Sequence, residues 1–300
     1  MPLSKPHYRG RFAPSPTGPL HLGSLIAALA SYLDARHHGG TWLLRMEDLD
    51  PPREEPGAAQ SILRSLQCHG LHWDEQVLYQ STRASAYAQA LAALAAAGHL
   101  FHCDCTRTRL GPNGACCGRC RPRQDEVSPP RSSRVSVPPN YSIHFEDQLQ
   151  GQQVTPLGLN TPDFVVKRKD GLDAYQLAVV VDDAEQDITH IVRGSDLLDS
   201  TPRQIFLQHL LGCPTPRYCH LPVITNGQDQ KFSKQNHATA LDNNQAIDNL
   251  RHALRFLHQP EPPSATDSIE SILAFAAAHW APQLIPAVLA IPAACIGINA

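Results

Sequence analysis

Residues 11–28 read "RFAPSPTGPLHLGSLIAA", and no other stretch restricts the fold as much. Pro14, Pro16, Gly18 and Pro19 are turn formers that fix or free the backbone. Leu25, Leu29, Tyr32 and Leu33 follow at helical spacing, which predicts a helix over 25–36 stopped by Gly39 and Gly40. A tight loop opening into a helix leaves backbone N–H groups unpaired, and the helix dipole adds to their positive field. With His21 and Ser24 at that start, the stretch suits a phosphate-binding corner. By itself it equally suits an ordinary strand–loop–helix connection.

Strand and helix signals then alternate. "GTWLLRMEDLD" reads as a buried strand ending in the acids Glu47 and Asp48. "PGAAQSILRSLQCHG" reads as a helix with a glycine stop, and "STRASAYAQALAALAAAGHL" as another capped by Ser81 or Thr82. Such alternation predicts an α/β fold with a parallel sheet, whose ligands bind beyond the carboxyl ends of the strands. Further on, "DFVVKRKDGLDAYQLAVVVDD" is expected to be strand-rich with a turn at Asp170-Gly171, and "VDDAEQD" to be a solvated acidic turn. "STPRQIFLQHLLG" carries a cap, an early proline and a glycine stop, so it is expected to be helical. "HLPVITNGQDQKFSKQN" reads as a strand, an Asn-Gly turn and a loop bearing Lys231 and Lys234. The last fifty residues are expected to be helical and carry no legible chemistry.

Nine cysteines occur, five of them between Cys103 and Cys120. The chain opens without a cationic segment and apolar run, so no export signal is expected and clustering argues for metal rather than disulfides. "CDC" at Cys103 and Cys105, with "CCGRC" at Cys116, Cys117 and Cys120, supplies two short-spaced pairs for a closed, structural zinc site. Spacing alone leaves Cys116 and Cys117 as alternatives for the third ligand. The other cysteines, Cys68, Cys213, Cys219 and Cys295, are expected to be buried thiols. Seven arginines lie between Arg107 and Arg134 in a chain of formal charge −3. Any nucleic acid must therefore meet a local patch, and these arginines are the place for it. The apolar tail "LIPAVLAIPAACIGI" is cut by two prolines and too short to span a bilayer, so no membrane association is expected.

Taken together, these stretches resemble one family. "PSPTGPLHLGS" is similar to the first signature of class I aminoacyl-tRNA synthetases, and "KFSKQ" to the second. "RFAPSPTG", "RMEDLDPPRE", "AYQLAVVVDD" and "HIVRGSDLLDSTPRQIFL" place the resemblance in the glutamyl branch, from about Arg9 to His237. Ser24 stands for the first signature's second histidine and Phe232 for the second signature's methionine. Only about sixty residues follow "KFSKQN", and the cysteine module with "DPPREEPGAA" resembles the truncated glutamyl-queuosine group. The resemblance implies a Rossmann-type doubly wound sheet in two halves, 1–100 and 191–240. Between them it implies a zinc-containing insertion over 101–190, and after them a small helical region over 241–300.

It also implies roles. Arg11, Phe12, Ala13, Pro14 and Ser15 would line a glutamate pocket, Glu47 would hold the ammonium, and Tyr175 and Arg193 would read the side-chain carboxylate. His21, Gly23, Ser24, Lys231 and Lys234 would bind ATP, with His21 and Lys234 acting in catalysis. Cys103, Cys105, Cys116 and Cys120 would hold one Zn²⁺, and Mg²⁺ would accompany ATP. The implied reaction makes glutamyl-adenylate without tRNA and passes glutamate to the queuosine base in the anticodon of tRNA(Asp). A cytoplasmic monomer is expected. Two alternatives stand beside it: a short synthetase charging a tRNA 3′ end, and a non-catalytic RNA- or nucleotide-binding paralogue.

Overall fold

The computed structural model describes residues 7–225 and 239–296 of the chain, with the side chains of residues 112, 295 and 296 left aside. The first half of the sheet comprises β1 (Arg9–Phe12), β2 (Thr41–Met46) and β3 (Leu78–Tyr79), linked by helices α1 (Leu22–His37) and α2 (Ala58–Cys68). All three strands are parallel, with Arg11 level with Leu43 and Met46 with Tyr79. Helix α1 begins at His21 as N-cap, three residues earlier than the sequence periodicity indicates, and stops at His38 before Gly39 with φ +62°. Leu25, Leu29 and Leu33 on this helix are fully buried. Truncating one such leucine to alanine costs roughly 2–5 kcal/mol.

Helix α3 (Ala84–Ala96) leads through β4 (Leu100–Cys103) into the cysteine-rich stretch. Its N-cap is Arg83 rather than Ser81 or Thr82. Ser81 instead donates its backbone N–H and hydroxyl to Asp48, at 2.9 and 2.6 Å. Strands β4, β5 (Ser132–Ser136) and β8 (Asp163–Lys167) form a separate antiparallel sheet in the order β4-β5-β8. Between them β6 (Ile143–Asp147) and β7 (Gly151–Thr155) form a hairpin, followed by the short α4 (Leu157–Asn160).

Residues 175–185 depart from the expected strand. They form helix α5 (Tyr175–Glu185), whose Leu177, Ala178, Val179 and Val180 are buried. The β-branched run favours a strand locally, but tertiary packing against α3, β8 and the helix Thr201–Leu211 overrides that preference. The expected solvated acidic turn is also wrong: Asp182 is 0% and Asp183 4% exposed.

Strand β9 (His190–Gly194), helix α6 (Thr201–Leu211) and β10 (Arg217–Leu221) build the second half. Helix α6 has the expected early proline and ends at Gly212, left-handed at φ +66°. The order is β7-β6-β10-β9, with β9, β10 and β6 parallel. Thr189 donates its N–H to Arg9 O at 2.9 Å, so β9 begins beside β1. The two halves thus meet between β1 and β9, at the reversal of strand order where α/β sheets bind ligands.

Beyond β11 (Val223–Thr225) come α7 (Ala246–Phe256), α8 (Ile269–Ala278) and β12 (Ala290–Pro292). The helical expectation holds for α7 and α8, and β12 adds a parallel strand against β11. Both helices bury their apolar faces in the core around α1. Trp280 Nε1 closes this contact by donating to Asp34 Oδ1 at 2.9 Å. No helix among the described residues is long and apolar enough to cross a membrane.

Candidate active site

A cleft of about 510 Å³ opens at the junction of the two half-sheets. Arg11, Phe12, Ala13, Pro14 and Ser15 line it from the end of β1, and His21, Gly23 and Ser24 from the start of α1. Glu47 comes from the end of β2, Tyr175 from the start of α5 and Arg193 from β9. The residues expected to meet glutamate and ATP that the structure describes therefore line one cleft. Lys231 and Lys234 lie outside the described residues.

The α1 corner is tight. Ser24 N–H donates to His21 Nδ1 at 3.3 Å, and Ser24 Oγ lies 3.1 Å from His21 Nε2. A Cβ on Gly23 would come within 3.1 Å of both the His21 ring and Ile224 Cγ2, so a side chain there would have to push one of them aside. Leu241 N–H donates to Leu20 O at 2.9 Å, so the chain after "KFSKQN" returns to this corner.

Below the cleft lies a network that sequence reading missed. Arg11 donates Nε and Nη2 to the carboxylate of Asp183 at 3.0 and 3.3 Å. Arg45, fully buried, donates to Asp183 Oδ1 at 2.8 Å, to Gln186 Oε1 at 2.9 Å and to Glu47 Oε1 at 3.4 Å. Burial alone would raise the Asp183 carboxyl, but the Arg11 and Arg45 guanidiniums hold it below the ordinary range. Burial pushes Glu47 upward against the opposing pull of Arg45 and Arg11. An anion at the base of the cleft is thus balanced by two cations, one of which also faces the opening. The acidic pair at the end of "VVVDD" was the available signal, legible only once that run is taken as a helix.

Arg193 is 5% exposed. Its Nη2 donates to Thr201 Oγ1 and Gln204 Oε1, both at 2.8 Å, and its Nε to His220 Nε2 at 3.1 Å. Nη1 is buried with no hydrogen-bond partner among the described residues. An unpaired cationic donor in a cleft is costly unless something anionic arrives to meet it.

The cysteine module sits apart. The sulfurs of Cys103, Cys105, Cys116 and Cys120 all lie within 4.8 Å of one another. Three of these residues are buried, and they share a small core with Phe101 and Val127. Cys117 is exposed, with its Sγ 3.4 Å from Cys105 Sγ. Asp163 anchors the module by accepting the Cys116 N–H at 3.0 Å, and Lys169 donates to Cys105 O at 2.7 Å. Four converging sulfurs fit a tetrahedral metal. Of the scattered cysteines described, Cys219 is buried while Cys68 and Cys213 are partly exposed.

Known proteins carry the same pattern. The family described as "tRNA synthetases class I (E and Q), catalytic domain" matches residues 7–115 and 119–258. The chain belongs to this family. It is 51% identical over 289 residues to a Neisseria meningitidis serogroup C protein named glutamyl-Q tRNA(Asp) synthetase, covering 93% of this chain and 97% of that protein. A Pseudomonas fluorescens protein of the same name is 50% identical over 293 residues, covering 96% of each. In three dimensions the chain is similar to the glutamate-tRNA synthetase of Elizabethkingia anophelis, with a TM-score of 0.78 and 22% identity. That match covers 95% of this chain and 68% of that structure, and it supports the fold assignment. The family fold explains why the site straddles the junction: each half of the sheet delivers one charged wall.

Proposed function

We propose that this chain activates L-glutamate with ATP to glutamyl-adenylate and then transfers the glutamate to the queuosine base in the anticodon of tRNA(Asp). The observation that carries this reading is the pairing, in one cleft, of the carboxylate of Glu47 with an Arg193 Nη1 that has no hydrogen-bond partner among the described residues. An amino acid with an acidic side chain answers both: its ammonium faces Glu47 and its side-chain carboxylate faces Arg193 and Tyr175. The names and extent of the relatives support the same reaction and its tRNA.

The glutamate α-carboxylate attacks the α-phosphate of ATP, and pyrophosphate leaves. Backbone N–H groups at the start of α1, with His21, Gly23 and Ser24, bind the phosphates. Lys231 and Lys234 bind ATP, Lys234 meeting the charge that develops on the leaving pyrophosphate; Mg²⁺ bound with ATP would supply further neutralisation of the phosphates. The chemistry requires position and charge rather than a nucleophilic side chain. Cys103, Cys105, Cys116 and Cys120 would hold one Zn²⁺, which would supply a tetrahedral cross-link to the module. Its exposed arginines, Arg107, Arg109, Arg119 and Arg121, present cations to the tRNA backbone. The protein acts as a cytoplasmic monomer.

The test is ATP–pyrophosphate exchange in the absence of tRNA, with aspartate and glutamine as controls. Exchange with glutamate alone is expected. Exchange that appears only after tRNA is added would replace this reading with a short synthetase that charges a 3′ end.

A further inference from the structure

The side of Arg193 turned away from the unpaired Nη1 is held by groups that the proposed chemistry does not use. His220 and Thr201 are 0% exposed, and Asp147 is 1% exposed. The His220 ring bridges them, with Nε2 3.1 Å from both Arg193 Nε and Thr201 Oγ1, and Nδ1 2.6 Å from Asp147 Oδ2. The other carboxylate oxygen of Asp147 accepts backbone N–H groups of Leu149 at 3.1 Å, Gln150 at 2.8 Å and His220 at 3.2 Å.

The protonation pattern follows from donor counting. A guanidinium only donates, so His220 Nε2 must carry a lone pair toward Arg193 Nε. The ring proton then resides on Nδ1 and is donated to Asp147. Burial holds His220 below its ordinary range despite the Asp147 carboxylate, so the ring stays neutral. Nη2 spends both hydrogens on Thr201 and Gln204, and the Thr201 hydroxyl can donate onward to Leu197 O at 3.2 Å. Three of the five guanidinium hydrogens are thereby fixed, and the two on Nη1 remain.

We propose that Asp147 and His220 are positioning residues for substrate selection: Asp147 locks the His220 tautomer, and His220 with Thr201 turns Arg193 so that Nη1 alone meets the substrate's side-chain carboxylate. This rests on the reading of Arg193 as the carboxylate-binding group. A guanidinium held by its back edge gains affinity without losing rotamer entropy at binding. Its rigid placement also separates substrates by one methylene, because a carboxylate set further back no longer reaches Nη1.

The test measures KM for glutamate and for ATP in tRNA-free exchange, with folding checked by thermal unfolding. In Asp147→Asn the side-chain oxygen keeps the three backbone N–H groups, so the amide nitrogen faces His220 Nδ1. The ring proton moves to Nε2 and opposes Arg193 Nε, donor against donor. KM for glutamate is expected to rise about 30-fold or more, with KM for ATP changed less than about threefold. His220→Gln, which can return an acceptor toward Arg193, is expected to recover most of the affinity that His220→Leu loses. Thr201→Val keeps the shape, removes one acceptor and is expected to raise KM for glutamate about tenfold. Arg193→Lys separates the two layers of the argument. A large effect of Arg193→Lys, with Asp147→Asn and Thr201→Val both unchanged, overturns the positioning role and leaves the carboxylate reading intact. No effect of Arg193→Lys on KM for glutamate overturns that reading and this inference with it. Should Asp147→Asn fail to fold, Thr201→Val decides by the same criterion.

Discussion

The cleft and the cysteine module solve opposite problems of burying polar chemistry. The module draws its ligands from residues 103–120, a short run joined by turns, and its core is a handful of side chains around four sulfurs. The cleft draws Arg11, Glu47, Tyr175 and Arg193 from four distant segments, brought together by the parallel sheet. Its charges are held by other charges: Arg11 and Arg45 by Asp183, and Arg193 by the His220–Asp147 pair. A local site can be stabilised by an added ion, whereas a long-range site needs the fold itself as scaffold. Damage to one should therefore leave the other largely intact.

Arg193→Ala should divide the two most sharply. It is expected to lower kcat/KM for glutamate by roughly 10²–10³-fold, because a buried charge-assisted contact is lost, while metal content stays unchanged. Coupled loss of metal would show that the regions are not independent. Asp183→Asn comes next. Without this anion, buried Arg11 loses its carboxylate partner and Arg45 keeps only Gln186 and the longer 3.4 Å contact to Glu47, so stability is expected to fall by about 3–5 kcal/mol in urea unfolding. An unchanged midpoint would mean that the two guanidiniums need no counterion.

Cys103→Ser should reduce bound zinc from about one per chain to nearly none, with a smaller effect on exchange than either cleft variant. Cys117→Ser should leave zinc content as it is if the proposed ligand set is right, because Cys117 is exposed and its sulfur meets the cluster at Cys105; loss of zinc in this variant would make Cys117 a ligand. Equal zinc in wild type and Cys103→Ser would refute the ligand set.

The smallest effect expected is one of pH. His190 is stacked on Tyr8 with ring centroids 4.0 Å apart, and burial lowers its pKa from 6.5 to about 4. The unfolded chain takes up this proton first as pH falls, so the contribution is full above about pH 6.5 and declines toward about 4. His190→Phe should flatten that part of the stability curve, and an unaltered slope would assign the acid sensitivity to other groups.

What was legible in the sequence follows the same division. Cysteine spacing pointed to metal from the residues alone, and the fold gathers the sulfurs of Cys103, Cys105, Cys116 and Cys120 within 4.8 Å of one another. The turn-rich loop before α1 was legible as an anion corner, but nothing in spacing tied it to Glu47 or Arg193; the family resemblance did that. Residues 175–185 were misread because "VVV" favours strands locally, while tertiary packing against α3, α6 and β8 accommodates them as a helix buried on most sides. That misreading also hid Asp183, since its acid looks solvated in a turn and becomes a counterion only on α5. His220 and Asp147 carry no motif at all. Their meaning appears only when β6 and β10 lie side by side.

The most direct test of the account is to locate labelled glutamate on queuosine-containing tRNA(Asp) after reaction with the enzyme and ATP. Nuclease fragments should carry the label in the anticodon piece and none on the 3′-terminal adenosine. Label on the 3′ end would contradict the account and make the protein a charging enzyme.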